Sequence, residues 1–441
     1  MKRHAIFLTA LAFSQPLAAA DLLQIYSEAR ANDPVYASAR AARDAGRESL
    51  PQGLALLLPT ISASGFTQMN NVDIDYRGFL PPSTRTGNTN GFTVSLTQPL
   101  FNWQSIMLYK EAGFKVAQTE AIFGQVAQDL ILRTAQAYFD VLASQDSLAF
   151  IQAQKTAISE QLAQAKRNFE VGTATITDTH EAQARFDLAT SQEIAAQSDL
   201  EIKQRALQQI VGKFPDRLTP LKPTIELNAP ESAMELWVTS AESQNFAVRV
   251  QEAVLEIATR EIERSRAGHY PSLNLVGSYG QNGAAFSSVG TVSVATDTKS
   301  NVVGLQFALP LYAGGGVNSL VRQAIANQEK ARQDLENARR SAALAARQAY
   351  LGFANGMAQA RALRQALVSS QSALDSNKLG YEVGVRINID VLNAQQQVFS
   401  TMRDLAKARY DTLMSGLKLK AAAGTLIEED LETANRLLGT D

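Results

Sequence analysis

The sequence predicts a mixed fold: a membrane β-barrel joined to a long α-helical coiled-coil barrel, with four strands per chain and an internal two-fold repeat. Three observations predict it. The chain matches itself at a shift of 212 residues, two long proline-free intervals are filled with helix formers, and four short segments alternate apolar with polar residues. Composition narrows the function classes. The 441 residues are 45% hydrophobic and contain no cysteine, so a large core forms without disulfides or cysteine metal sites. Lys plus Arg number 41 against 43 Asp plus Glu, which offers no basic face to nucleic acid. His4, His180 and His269 are too few and too scattered for a histidine metal site or a catalytic triad.

Residues 1–20 read as a secretory signal. Lys2 and Arg3 precede an apolar stretch from Ala5 to Phe13, and Ala18, Ala19 and Ala20 stand just before Asp21. Its removal leaves 39 of the 41 basic groups against 43 acidic ones, and no cysteine follows the cut to take a lipid. Beyond it there is no run of 18 apolar residues, so no helix crosses a bilayer alone. The remaining compartments are secreted, periplasmic, or an outer membrane crossed by a barrel, because lipid tolerates only helices and closed barrels.

The self-match pairs Phe169-Glu170-Val171-Gly172 with Tyr381-Glu382-Val383-Gly384, then Asp178 with Asp390, Asp199 with Asp411, Leu207 with Leu419 and Gly212 with Gly424, without a gap. A first repeat at 21–212 and a second at 232–424 follow. Between them, 213–231 carries Pro215, Pro220, Pro223 and Pro230 and reads as an extended linker; 425–441 is a C-terminal segment. A proline inside a helix removes a backbone bond and clashes with the preceding turn. None occurs between Pro99 and Pro215 or after Pro310, which predicts helices at about 104–168, 177–211, 316–380 and 389–423. At 1.5 Å per residue, a helix of about 65 residues extends roughly 100 Å. Such helices need an apolar seam. Phe114, Ala117, Ala121, Val126, Leu130 and Tyr138 supply one, and Leu335, Ala338, Ala342 and Ala345 another; an ordinary bundle core explains the same stripe.

Between Gly91 and Pro99, Phe92, Val94 and Leu96 alternate with Thr93, Ser95 and Thr97, and Val303, Leu305, Phe307 and Leu309 alternate in the matching place. Weaker alternation follows Pro59 and Pro271. The strands are expected at about 60–69, 90–100, 271–281 and 301–311, near the ten residues that a tilted barrel strand needs. The Asn-, Gly-, Ser- and Thr-rich stretches at about 70–89 and 282–300 are expected to be long external loops. Four strands cannot close a barrel. Two copies would give eight strands and a plugged lumen; three would give twelve and room for water. Phe101 and Trp103, expected just past the second strand, sit where an aromatic girdle belongs, or else cap a helix core.

The start Asp21-Leu22-Leu23-Gln24, the Asn32-Asp33-Pro34 break, Asn102-Trp103, Leu309-Pro310-Leu311-Tyr312 with Gly314 and Gly315, and both Val-Gly tip motifs resemble the TolC family of outer-membrane channel-tunnels over about residues 21–430. The resemblance implies a homotrimer with a twelve-stranded barrel in outer-membrane lipid and a helical tunnel in the periplasm, where 425–441 would also lie. It implies an exit duct for drugs or unfolded secreted proteins. The implied partners are a periplasmic adaptor and an energised inner-membrane transporter of ABC, RND or MFS type. No cofactor or metal is implied.

The same resemblance places Asp178, Tyr381 and Arg386 among the links that hold the periplasmic entrance closed, and Asp390 in an acidic ring that lines it. Asn393 stands where the second acid of that ring is usual, which leaves three carboxylates rather than six in a trimer and weakens cation binding. Gly172 and Gly384 end the long helices at the tip turns. The residues alone also read differently: Thr175-x-x-Asp178 fits a capping box, and Asn388 precedes Asp390. His180 beside Glu181 forms no zinc-protease motif. The rival reading is a soluble periplasmic coiled-coil scaffold, which would fractionate without detergent. An enzyme is a distant third, because no acid, base and nucleophile converge.

Overall fold

The computed structural model describes residues 19–78, 81–213, 217–222, 232–288 and 291–439. Residues 1–18 of the expected signal, and 214–216 and 223–231 of the expected linker, lie outside the described residues. In chain order the elements are α1 (Leu22–Asn32), α2 (Pro34–Arg47), α3 (Ser49–Ala55), β1 (Thr60–Ile74), β2 (Ser83–Asn102), α4 (Trp103–Glu170), α5 (Ile176–Val211), α6 (Met234–Gln244), α7 (Phe246–Arg266), β3 (Ser272–Ser288), β4 (Thr291–Ala308), α8 (Gly316–Glu382), α9 (Asn388–Ala422) and α10 (Glu428–Asn435). The chain divides into two units. One comprises residues 1–40, 124–245 and 339–441, the other 41–123 and 246–338.

Sequence reasoning did not anticipate α1, α2, α3, α6, α7 or α10. Proline had been read as a break, yet Pro34 is the first residue of α2 and Pro51 sits in the first turn of α3. There the missing N–H has no intrahelical acceptor to lose.

The first unit is held by an apolar cluster in which Leu22, Ile25, Tyr26 and Ala29 of α1 meet Leu130, Tyr138, Phe139 and Leu142 of α4. Leu207 and Val211 of α5, Tyr410 and Met414 of α9, and Leu431 of α10 complete it. Asp33, at the α1–α2 junction, is only 3% exposed and binds Arg133 of α4 at 2.8 Å. Further along, Ile158, Leu162 and Ala165 of α4 pack with Ala182 and Ala189 of α5 and Leu392 of α9. The second-repeat seam is shifted from its expected register. Leu335 and Ala342 are buried, but Ala346 is buried and Ala345 exposed. At about 100° per residue, an 11-residue step from Leu335 returns to within about 20° of the same face, whereas a 10-residue step falls about 80° short, so Ala346 rather than Ala345 meets the contact. Ala117 of the first seam is likewise exposed.

The second unit carries one antiparallel sheet in the order β1-β2-β3-β4. The strands are 15, 20, 17 and 18 residues long, not ten. The stretches expected as loops are mostly ladder: Gln68 pairs with Thr89, Asn70 with Gly87, and Asn282 with Thr298. Alternation in polarity ends near Gly91, but pairing does not require it where both faces meet water, and Thr suits a strand. Phe101 therefore lies inside β2, beyond a register shift that starts at Pro99, and pairs with Leu273. Trp103 is the first residue of α4, its ring 6.4 Å from that of Tyr270.

Register sorts the faces near the helices. Ile61, Leu96, Gly277 and Val303 form one cross-strand row; Leu275–Leu305 and Leu273–Phe307 continue on the same face. Val303 is 84% exposed, Ile61 73%, Leu305 66% and Phe307 64%. The opposite face carries Ser62, Ser64, Thr93, Ser95, Thr97 and Ser278, with the Ser62 and Ser95 hydroxyls 3.0 Å apart. Gly91 lets β2 and β3 approach here, since a Cβ would fall 2.8 Å from the Gln281 carbonyl oxygen.

Candidate functional site

The candidate site is built from the two helix tips of the first unit. At the first, Gly172 adopts φ +78°, and the N–H groups of Thr173 and Ala174 both donate to the Asn168 carbonyl. At the second, Gly384 adopts φ +77°, and the N–H groups of Val385 and Arg386 donate to the Gly380 carbonyl, 212 residues further on. The two turns thus repeat backbone bond for backbone bond. A left-handed residue closes a helix end at low cost only as glycine.

The side chains break that symmetry. Thr175 caps α5: its hydroxyl accepts the Asp178 N–H at 3.3 Å, while the Asp178 carboxylate accepts the Thr175 N–H at 2.9 Å and its hydroxyl at 2.8 Å. This is the reciprocal capping box. The equivalent N-cap of α9 is Ile387, which has no hydroxyl. Asp390 therefore has no capping duty and lies 3.6 Å from Arg386 one turn earlier. One aspartate, repeated, does two jobs because the residue three positions before it differs. Asn388, which precedes Asp390, is the first residue of α9 rather than its N-cap and is almost fully buried.

Three polar bridges join one tip to the other. The Asn168 amide donates to the Tyr381 hydroxyl at 3.1 Å, the Gln161 amide to Asn388 Oδ1 at 2.7 Å, and Arg185 Nη2 to Asn393 Oδ1 at 2.9 Å, with Arg185 Nη1 also donating to Gln396. The structure thus brings Tyr381 and Asn393 into cross-tip contact, and Arg386 against Asp390. Within this chain it does not join Asp178 to Tyr381 or Arg386; both Thr175 bonds end on Oδ2, and Oδ1 accepts none among the described residues. Asn168, Gln161 and Arg185 were missed by sequence reasoning. A signal existed: at the 212-residue shift they face Gly380, Ala373 and Gln397, so they mark places where the repeat is broken.

At the foot of the sheet, in the other unit, Lys110 Nζ lies 5.8 Å from the Trp103 ring centre, and Trp103 and Tyr270 meet edge to face. Amphipathic rings of this kind suit a lipid headgroup boundary. No helix among the described residues is long and apolar enough to cross a membrane.

Residues 25–213 and 237–425 each match the sequence profile described as "Outer membrane efflux protein". The chain is 34% identical over 420 residues to outer membrane protein TolC of Vibrio cholerae, covering 95% of this chain and 93% of that protein. It is 32% identical to the alkaline protease secretion protein AprF of Pseudomonas aeruginosa, covering 93% and 86%. The outer-membrane channel CmeC of Campylobacter jejuni superposes with a TM-score of 0.80 at 16% identity, covering 99% and 98%, a likeness of fold. These relatives are channel and secretion components rather than enzymes. With both repeats matched and nearly the full length of the relatives spanned, the chain belongs to the outer membrane efflux protein family, and is an outer-membrane exit duct of the efflux and type I secretion kind.

Proposed function

We propose that three copies of this chain close one twelve-stranded barrel through the outer membrane, with the long helices of both repeats forming a periplasmic tunnel. The observation that carries this reading is the sheet itself. β1 and β4, of 15 and 18 residues, are edges whose outer backbone groups have no strand partner among the described residues, and one face is apolar and open. In water such an edge and face invite pairing with another chain, and in lipid an open edge is not tolerated at all. Three four-stranded sheets joined edge to edge satisfy the backbone and leave a water-filled lumen. The hydroxyl face would line that lumen, and the apolar face would meet lipid.

The tips at Gly172 and Gly384 would then form the entrance. Asp178, Tyr381 and Arg386 hold it shut, and Asp390 with Asn393 lines it. Exposed ion pairs contribute about 0–1 kcal/mol each, so three symmetric sets amount to a few kcal/mol, which a docking partner can supply. A periplasmic adaptor and an inner-membrane transporter of ABC, RND or MFS type would dock there and provide the energy. The duct itself is passive, conducting small molecules or unfolded polypeptides.

Light scattering in detergent is expected to find three chains per particle, with stepwise conductance in planar bilayers. A monomer freely soluble in plain buffer would end the proposal. For the gate, Asp178→Ala or Arg386→Ala should keep the trimer and raise resting conductance; unchanged conductance in both would remove these residues from it.

A further inference from the structure

One of the polar bridges at the tips carries a charge that makes no ion pair among the described residues. Arg185 lies on α5, and its guanidinium donates to Asn393 at 2.9 Å and to Gln396, both neutral amides. Among the described residues it has no carboxylate partner. Glu181, one turn earlier on its own helix, makes no ion pair with it, and Asp187 takes the Gln183 amide at 3.0 Å. A guanidinium stays protonated at any working pH, and its planar fork, gripped by two acceptors, is held in place rather than swinging in solvent.

That place is beside Asp390. Asn393 follows Asp390 by three residues on α9, so the two share a helix face. Arg386 closes on Asp390 from the preceding turn at 3.6 Å. Along this face a single carboxylate is therefore flanked by two guanidiniums, one from its own helix and one from α5. An aspartate at position 393 would hold Arg185 in the same geometry and cancel its charge. An asparagine holds it and leaves the charge standing.

Resting on the aperture reading above, we infer that Arg185 is a selectivity-determining residue of the entrance. Three such guanidiniums around the axis, next to the three Asp390 carboxylates, keep divalent cations from settling there and favour anionic groups on passing ions and cargo. The field of a fixed charge a few ångströms from a constriction is large compared with thermal energy where bulk water is excluded.

The test uses the full-length protein in planar bilayers of neutral lipid, with a KCl gradient and Mg2+ added on the entrance side. The expected result is that Arg185→Gln moves the reversal potential toward cation selectivity and lowers the half-blocking Mg2+ concentration about tenfold, whereas Arg185→Lys keeps most of the wild-type behaviour. Asn393→Asp should reproduce the Arg185→Gln shift with the bridge intact, which covers the case in which Arg185→Gln fails to assemble. Wild-type selectivity and Mg2+ response in both Arg185→Gln and Asn393→Asp would overturn the inference. Asp390→Asn separates the two readings. If it alone shifts selectivity, the aperture stands and the role of Arg185 falls; if none of the three variants does, both fall.

Discussion

Thr175 and Ile387 occupy equivalent positions in the two repeats, and the difference between a hydroxyl and an apolar chain decides what the aspartate three residues on can do. Losing the cap in Thr175→Ala should cost about 1 kcal/mol of local stability and free Asp178. Hydrogen exchange should then show faster amides at the start of α5 and no change at the start of α9. Asp33 shows the opposite logic, a charge that is firmly held. Burial alone would raise its pKa, but the bonds from Arg133 and from the Tyr36 and Val35 N–H groups outweigh that and hold the carboxyl below its ordinary value. Because the folded value is the lower one, the stabilisation is present above the ordinary Asp value of about 3.9. It is lost as pH falls through the folded value. Protection of the α1 and α2 amides should thus drop below about pH 4, and Arg133→Met should remove about 3 kcal/mol at neutral pH by stranding a buried carboxylate. Equal protection of these amides in Arg133→Met and wild type would rule this out.

At the scale of elements, the four long helices were legible because proline's absence is an unambiguous permission, and the observed ends differ from the expected ones by no more than two residues. Strand length was not. Alternation marks only the part of a strand with one face in an apolar medium, so reading it found the section of β2 around Phe92 to Leu96 and missed the polar extension from Ser83 to Asn90. β2 has 20 residues, about twice what spanning requires, so half of it belongs outside the hydrocarbon. Val94 lies on the apolar face and its mutation tests that assignment. Val94→Arg should destabilise the assembled barrel by about 2–4 kcal/mol, measured as loss of a heat-resistant oligomer in detergent. Asn88→Arg, on the same face as Val94 but in the polar extension, should change it little. Similar losses in the two variants would contradict the assigned boundary.

For the whole molecule, the proposed trimeric barrel would make stability a property of the assembly rather than of the chain, because it pairs the sheet's two edges. If β1 of one copy pairs with β4 of another, the unfolding midpoint should rise with protein concentration by mass action, and a midpoint constant over a hundredfold dilution would argue against pairing between chains. The duplication, the helices, the strand faces and the tip glycines were all determined by sequence, because each depends on local periodicity or on a backbone conformation that few residues adopt. The partners of the polar side chains were decided only by the tertiary structure. Asn168, Gln161 and Arg185 reach across from one tip to residues more than 200 positions away. No local pattern encodes which of two neighbouring helices a polar side chain will meet. Packing settles that, and with it which aspartate is spent on a cap and which is left facing an arginine.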